Sequence, residues 1–436
     1  MKISSFSLAL QRLSLLAVGV TLLASCQSSE PTDDEVLVED DGEKRVTILG
    51  VMIGEQQEKI EEALKPFTAE TGIEVVYEGT DAFATVLPLR VESGSAPDVA
   101  MFPQPGLMAD FARQGELVPM STVMDAAEMA EAYDDSWLNL GSVDGEVYGV
   151  WYRVSLKSLV WYSPKAFEAG SYFVPSTWED MLILSDRLVA DGKTPWCIGM
   201  ESGDATGWVA TDWVEDIMLR TASPETYDEW TTHSIPFNDP AVKNAVEKFG
   251  DIILNEDYVY GGTVGALSTP YGDSIKDVLG EEPQCYMNRQ GNFITAFFPE
   301  DLNVDEDIAF FPLPAIEPEY GLPMLVAGDV FGMFNDTPEA RLLMEYLTTE
   351  VPHEIAAGLG GFISPRKGIE PNAYPDELTR KQAGILSSAE VIRFDASDMM
   401  PGAVGTGTFW SGMVDYVGGM DVDLVLQEIE NSWPEE

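Results

Sequence analysis

Short apolar runs alternate with amphipathic stretches in the first quarter of the chain. Residues 46–52, 73–77 and 98–102 are rich in apolar side chains, as expected of strands covered on both faces. Between them, residues 60–67 and 83–91 repeat their apolar side chains at helical spacing. Strand–helix–strand units of this length predict a parallel sheet in an α/β protein.

The ends of these strands mark a candidate site. In parallel sheets the ligand crevice lies beyond the carboxyl ends of the strands. This rule places the turns that carry Glu55, Asp81 and Gln104 around one crevice. Two longer extended runs, 147–163 and 324–334, predict crossovers between two lobes.

The N-terminus has the pattern of an export signal. Basic residues precede the apolar run 13–23, which is too short to span a membrane. The tetrad 23–26, Leu-Ala-Ser-Cys, resembles the bacterial lipobox, whose cysteine is acylated and becomes the first mature residue. We therefore expect a lipoprotein signal peptide over 1–25, a lipid anchor on Cys26 and an acidic flexible tether over 26–45. An ordinary secretory signal that ends near a cysteine is the alternative.

Two cysteines remain after Cys26. In an oxidising compartment an even number of cysteines predicts a disulfide, here between Cys197 and Cys285. Two buried thiols are the alternative.

Composition excludes several classes of function. The 436 residues include 75 acidic and 24 basic side chains, and the net charge of −51 repels phosphate backbones, so we expect no nucleic-acid partner. A content of 45% hydrophobic residues is enough for a large core. The two histidines, His233 and His353, cannot build a His-rich zinc site, and we expect His353 at the surface. No metal and no cofactor are predicted.

Sequence motifs of catalysis are missing from the chain. It has no phosphate-binding loop, no dinucleotide-binding glycine motif after a strand and no nucleophile elbow. Paired carboxylates of a glycoside hydrolase stay possible, but 75 acidic residues produce such pairs by chance. We predict no catalytic residue.

Aromatic residues beside turn glycines or polar residues favour a sugar site. Examples are Tyr152, Trp208, Phe293 and Trp410. Aromatic faces pack against the C–H faces of pyranose rings, and carboxylates, amides and Arg bind the hydroxyls. Core packing is the alternative for each ring taken singly.

Four segments carry a resemblance to a known family. They are 67–75 (Phe-Thr-Ala-Glu-Thr-Gly-Ile-Glu-Val), 96–106 (Ala-Pro-Asp-Val-Ala-Met-Phe-Pro-Gln-Pro-Gly), 159–165 (Leu-Val-Trp-Tyr-Ser-Pro-Lys) and 409–410 (Phe-Trp). From residue 46 to 433 the chain resembles the solute-binding component of a bacterial sugar ABC importer of the maltose-binding type. Within that group it is most similar to the α-glucoside-binding lipoproteins.

The resemblance implies a fold and a function. The fold is the α/β, two-lobe periplasmic-binding-protein fold (type II, maltose-binding-like), with the ligand cleft between the lobes. We expect residues 46–155 plus about 330–362 in lobe 1, and 156–329 plus about 363–436 in lobe 2. The implied protein is an extracytoplasmic, lipid-anchored monomer. It captures a small carbohydrate, an α-glucoside or other oligosaccharide, by hinge closure and delivers it to an ABC permease.

The resemblance and the predicted strand ends together select ligand residues. Phe102, Gln104, Asp81 and Trp410 match positions at which the family often contacts ligand. Arg153 departs from the small or acidic residue that is commoner there, so it is either a donor to sugar hydroxyls or an ion-pair partner of a nearby acid. The complete predicted set is Glu55, Asp81, Phe102, Gln104, Tyr152, Arg153, Glu201, Trp208, Phe293, Asp329 and Trp410.

Two other functions fit the same residues. One is a secreted polysaccharide hydrolase or lyase, and the other is a polyamine or cation receptor of the same fold that uses the acids of the cleft. Arg153 counts against a cation receptor, and the aromatic residues favour sugars.

Overall fold

A computed structural model describes residues 44–280 and 282–434. The predicted signal peptide, the predicted lipid anchor at Cys26 and nearly all of the predicted tether lie outside the described residues. None of the helices in these ranges is long and apolar enough to cross a membrane.

The strands within the described residues have at most six residues, except for two strands of eight and ten residues. They are β1 (Arg45–Gly50), β2 (Glu74–Gly79), β3 (Val99–Phe102), β4 (Ser142–Val143), β5 (Glu146–Val147), β6 (Gly149–Leu156), β7 (Leu159–Tyr162), β8 (Thr194–Trp196), β9 (Cys285–Arg289), β10 (Ala309–Pro312), β11 (Met324–Met333) and β12 (Ile392–Phe394).

The α-helices vary from one turn to nearly five. They are α1 (Glu55–Thr71), α2 (Phe83–Glu92), α3 (Pro105–Gln114), α4 (Ala126–Ala132), α5 (Asp135–Leu140), α6 (Pro164–Gly170), α7 (Trp178–Ala190), α8 (Trp208–Thr221), α9 (Pro224–Thr231), α10 (Pro240–Ile253), α11 (Gly262–Ser268), α12 (Pro338–Leu347), α13 (Glu350–Gly358), α14 (Glu377–Ser388), α15 (Ala396–Met399), α16 (Trp410–Val417) and α17 (Val422–Glu430).

The first sheet has the strand order β12-β11-β3-β1-β2, and β6 also pairs with β11. Strand β1 pairs in parallel with β2 and with β3, which confirms the parallel sheet predicted from the apolar runs. Strand β11 runs antiparallel to both β3 and β6. The β1–α1–β2–α2–β3 segment therefore forms one edge of a mixed sheet that is completed by strands from much later in the chain.

Helix α1 shows how local sequence sets these elements. Its residues Ile60, Ala63, Leu64 and Phe67 are buried, as the helical spacing predicts. The helix ends at Gly72, whose φ of 71° is left-handed and suits glycine. After Gly72 the chain leaves the helix and continues into β2.

The second sheet has the order β10-β7-β9-β8. Strands β8 and β9 are parallel, and β7 is antiparallel to β9 and β10. One apolar core surrounds β1, β3, β6 and β11 of the first sheet, and another surrounds α8, α10 and α16. Two sheets with two cores agree with the two-lobe architecture.

The two predicted extended runs contain strands. The run predicted over 324–334 is the single strand β11, which pairs within the first sheet. The run predicted over 147–163 is interrupted at Lys157 and Ser158, which separate β6 of the first sheet from β7 of the second. Their role as crossovers between lobes stays a prediction. Strand β12 joins the first sheet, although its residues fall in the part of the chain predicted for lobe 2. The remaining lobe boundaries stay predictions.

The predicted disulfide is present. Cys197 and Cys285 are bonded, with a Cα–Cα distance of 5.4 Å, and the bridge connects the end of β8 to the start of β9. The expectation that His353 lies at the surface is wrong. Its side chain is buried and bridges the carbonyl of Leu347 and the hydroxyl of Ser364, which satisfies both ring nitrogens inside the core.

Candidate functional site

A cleft of about 580 Å³ opens between the elements of the two sheets. This volume lies within the range of about 300–1,000 Å³ typical of sites for small molecules. The turns after β2 and β3 and the crossover strands line one side, and α8, the 292–297 turn and α16 line the other. A ligand in the cleft therefore touches both halves of the fold.

One rim carries Asp81 and Gln104, as the strand-end rule predicts. Asp81 follows β2, and Gln104 is the N-cap residue of α3, directly after β3. A Cβ added to Gly106 would lie 2.2 Å from the carbonyl oxygen of Met400, so the start of α3 packs tightly against the end of α15. This close approach places the Gln104 carboxamide near the α15 end of the cleft.

The floor of the cleft holds a buried ion pair on the crossover strands. Arg153 of β6 and Asp329 of β11 are register partners, and Arg153 Nε donates to Asp329 Oδ2 at 2.6 Å. Arg153 also donates through Nη1 to Gln56 Oε1 of α1, at 2.8 Å. Of the roles considered for Arg153, the structure shows the ion pair with Asp329.

The opposite wall is aromatic. The Trp208 ring lies 5.1 Å from Tyr271 and 5.8 Å from Phe293, measured between ring centroids. Tyr271 in turn meets Phe297 edge to face at 5.2 Å. Trp410 lines the cleft from the first turn of α16, which continues a π-helical turn, Ala403–Phe409.

A charged cluster, Lys157 with Asp212, Asp395 and Asp398, lies at the same wall. The Lys157 ammonium donates to Asp212 Oδ1 at 2.8 Å and to Asp395 Oδ2 at 2.5 Å, and lies 4.0 Å from Asp398 Oδ2. Each of the four side chains is at least nine-tenths buried, yet all four border the cleft. We refer to these four residues as the lysine cluster.

The pKa values of the four residues in the lysine cluster are strongly shifted. Burial alone would lower the pKa of Lys157, but its carboxylate neighbours outweigh burial and hold that pKa well above its usual value. Burial raises the pKa of Asp212 to about 7, against the effect of Lys157. Burial also disfavours ionised Asp395, but Lys157 and hydrogen bonds hold its pKa at about 2. Burial and the negative charge of Asp395 raise the pKa of Asp398.

Four buried polar atoms of cleft residues have no hydrogen-bond partner. They are Gln104 Oε1, Asp212 Oδ2, Asp329 Oδ1 and Trp410 Nε1. A buried polar group left without a partner costs about 1–3 kcal/mol. Of these, Asp212 Oδ2 lies 3.5 Å from Arg289 Nη1, an ion-pair partner. The remaining donor and two acceptors in one cleft are suited to a ligand that carries several hydroxyl groups.

Most of the predicted ligand residues meet in this cleft, but three do not. The cleft brings together Asp81, Gln104, Arg153, Glu201, Trp208, Phe293, Asp329 and Trp410. Glu55, Phe102 and Tyr152 do not line it.

Each of the three exceptions has a physical reason. Glu55 is exposed on α1, where it pairs with Lys59 at 2.8 Å. Phe102 is fully buried among other phenylalanine rings of the first core. Tyr152 lies at an irregularity of β6, where the register with β11 shifts, and its ring is buried against Phe331, His353 and Phe362.

The sequence reasoning missed the lysine cluster. Asp212 lies four residues after Trp208 on α8, so the two share a face of that helix. That spacing was a usable signal for Asp212. Lys157 and the acids of α15 are distant in sequence, and no local pattern connects them.

A metal site is geometrically conceivable beside this cluster. Ligand atoms of Asp212, Glu215 and Asp395 lie within 4.8 Å of one another. However, the Lys157 ammonium already contacts two of these three carboxylates. The arrangement therefore holds an amino-acid cation among the carboxylates, and it supports no metal assignment.

The chain is similar to proteins that bind solutes. The family model for bacterial extracellular solute-binding proteins matches residues 53–352. The osmoprotective compounds-binding protein GgtB of Synechocystis sp. is 65% identical over 97% of this chain and 99% of its own length. The α-glucosides-binding periplasmic protein AglE of Rhizobium meliloti is 40% identical over 89% of this chain and 86% of its own.

The fold also matches solved structures. The bacterial solute receptor AcbH, with an exclusive preference for β-D-galactopyranose, superposes with a TM-score of 0.78 at 20% identity. The match covers 89% of this chain and 98% of that receptor. At this identity the likeness concerns the fold.

Proposed function

Because the chain belongs to the bacterial extracellular solute-binding proteins, we propose that it captures a small neutral α-glucoside that serves as an osmoprotective compound. The lobes close on this ligand, and the loaded protein delivers it to an ABC permease. No covalent chemistry is involved. The protein acts as an extracytoplasmic monomer, anchored through an acylated Cys26 that mass spectrometry of the mature protein would test.

One observation carries the ligand class: a cleft that combines aromatic rings with buried, unpartnered acceptors. The ring of Trp208 offers a flat apolar surface and Trp410, only 5% exposed, borders the cleft, while Asp329 and Gln104 each present a buried oxygen without a donor. Sugars carry both C–H faces and hydroxyl donors, so they fill both needs. A cleft of about 580 Å³ suits a small glycoside better than a polysaccharide.

The names of two similar proteins narrow the class of ligand. GgtB, the 65% identical relative, is named for osmoprotective compounds, and AglE, the 40% identical relative, for α-glucosides. A neutral α-glucoside with an osmoprotective role satisfies both names. The net charge of −51 is compatible with salty surroundings, where screening reduces self-repulsion.

Ligand-dependent stability tests the proposal. We expect sucrose, trehalose or an α-glucoside of glycerol to raise the melting temperature, by the equivalent of about 2.7 kcal/mol at a hundred times its Kd. The β-linked disaccharide cellobiose, glycine betaine and spermidine are the controls. The ligand that binds should also reduce the radius of gyration in X-ray scattering, because the closed form is more compact. A shift with spermidine or betaine and none with any glycoside would contradict the proposal.

Trp410 and its neighbour Phe409 provide a matched pair of variants for the binding wall. We expect Trp410→Ala to weaken binding of the α-glucoside by about 1–3 kcal/mol, by analogy with other stacking contacts between rings and ligands. Phe409 is fully buried against Phe237 and Trp230, so Phe409→Ala should instead cost about 3–5 kcal/mol of folding free energy. Calorimetric titration and urea unfolding of both variants measure these effects. If Trp410→Ala and wild type bind the α-glucoside with equal affinity, Trp410 does not contribute to ligand binding.

A further inference from the structure

Lys157 occupies the place in the cleft wall where a bound cation would otherwise fit. Its ammonium lies between Asp212 and Asp395, at 2.8 and 2.5 Å, with Asp398 at 4.0 Å. We propose that Lys157 is a built-in cation that sets the charge specificity of the cleft: it excludes organic ammonium ligands and admits neutral polyhydroxylated ones. This inference rests on the proposed function and names the residue that determines which class of osmoprotective compound is accepted.

The aromatic side of the site supports this role. The Lys157 Nζ lies 5.3 Å from the centroid of the Trp208 ring, within the range of a cation–π contact. Tyr271 and Phe293 flank the same ring. Aromatic rings together with carboxylates are the composition of sites that recognise alkylammonium groups. Without Lys157, the residues of this wall would form a receptor for organic cations.

The charge of Lys157 is held in place by its surroundings. Only 6% of the residue is exposed, and three carboxylates surround its ammonium. A second cation entering this wall would find Asp212 and Asp395 already paired with the Lys157 ammonium, and two like charges held close together in a poorly solvated region repel each other strongly. A hydroxyl donor meets no such repulsion.

The cluster also keeps an acceptor for a neutral ligand. Asp212 uses Oδ1 to accept from Lys157, while its buried Oδ2 makes no hydrogen bond and lies 3.5 Å from Arg289 Nη1. Gln104 Oε1 and Trp410 Nε1 border the same cleft and also have no partner. Lys157 therefore pairs with Asp212 and Asp395 without using all of the acceptor oxygens of the cleft, and the remaining groups match hydroxyls.

Truncation of Lys157 with chemical rescue tests the proposal. Lys157→Ala removes three methylene groups and the ammonium, which together correspond to the propylammonium ion. We expect the variant to melt lower than wild type, to regain stability with propylammonium chloride, and to show no gain with 1-propanol at equal concentration in matched salt. Lys65→Ala is the control, because Lys65 is an exposed lysine in an i,i+3 pair with Glu62. Neither this control nor wild type should respond to propylammonium.

A second variant covers the case in which Lys157→Ala does not fold. Lys157→Gln combined with Asp395→Asn removes one charge of each sign, so less uncompensated charge is buried. It should bind propylammonium about tenfold or more tightly than wild type, the scale of one desolvated cation–π contact. Calorimetric titration measures both proteins.

The outcomes separate this inference from the proposed function. Glycoside binding by wild type tests the function alone, and the gain of ammonium binding by the variants tests Lys157 alone. If wild type binds propylammonium as tightly as the double variant does, or if the double variant shows no gain, the inference is overturned even when wild type binds an α-glucoside. If the gain occurs and wild type binds no glycoside, the charge role of Lys157 stands and the proposed function falls.

Discussion

Reduction of the Cys197–Cys285 bridge is expected to lower the free energy of unfolding by about 4–5 kcal/mol, the chain-entropy value for a loop of this length. The two cysteines are 88 residues apart, and both are buried at the junction of β8 and β9. Without the bridge the unfolded chain gains freedom that the native state does not share. Urea unfolding with and without a reductant, after thiol release is verified, gives the difference.

The double variant Cys197→Ser/Cys285→Ser is the control for reduction. Its stability should match that of the reduced wild type and should not change with reductant. The segment after Cys197 leads to Glu201 at the cleft, so the variant should also bind ligand several-fold more weakly. Equal midpoints for oxidised and fully reduced wild type would show that packing alone holds this junction.

Replacement of Asp216 by alanine is expected to cost about 3–5 kcal/mol of folding free energy, the loss typical of breaking a buried ion pair. Asp216 is fully buried on α8, where it accepts from Arg220, from Arg289 Nη2 at 2.9 Å and from Ser158 Oγ at 2.7 Å. Its removal leaves two buried guanidinium groups without this carboxylate. Urea unfolding at constant pH measures the loss.

The exposed pair of Asp228 and Arg393 gives a matched control. Arg393 Nε donates to Asp228 Oδ1 at 2.6 Å, so the chemistry is the same, but Asp228 is half exposed. Asp228→Ala should therefore cost at most about 1 kcal/mol. A loss for Asp216→Ala as small as that for Asp228→Ala would mean that the buried network contributes no more than a surface pair.

The sequence predicted the first sheet well because its signals are local. Strands β1 to β3 are apolar runs separated by helices with regular spacing, and α1 ends at a glycine. The strand-end positions of Asp81 and Gln104 followed from similarly short-range reasoning, and each depends on neighbours within a few turns or strands. The disulfide joins cysteines 88 residues apart and was predicted from the even number of cysteines.

Errors arose where strands are buried on both faces. In β3 and β6 every residue is buried, so the sequence lacks the alternation that indicates which side chains face the cleft. Phe102 was assigned to the ligand from the family resemblance and Tyr152 from its aromatic ring beside Arg153, and no alternation in the sequence opposed either assignment. The structure places both in the core. The expectation of a surface position for His353 failed similarly, because partners for its ring nitrogens become visible only in three dimensions.

Most polar residues of helix α8 were not identified from the sequence. Trp208, Asp212, Asp216 and Arg220 follow one another at intervals of four, so a polar stripe runs along a helix that is buried almost throughout. A polar stripe usually indicates a solvent-exposed face. Here it faces buried partners from the loop after β6 and from β9, which no local pattern could supply.

Strand β11 belongs to the same sheet as β1 to β3 but is synthesised more than 200 residues after them. Strand β11 pairs with β3 on one side and with β12 on the other. All four strands of the second sheet lie between β3 and β11 in the sequence. When β1 to β3 have been synthesised, β3 therefore lacks its neighbour β11, which has not yet been translated. Pairing between such distant segments is slow to form. The first sheet thus stays incomplete until β11, which ends at residue 333 of 436, has been synthesised, an order that is compatible with the extracytoplasmic location that we propose.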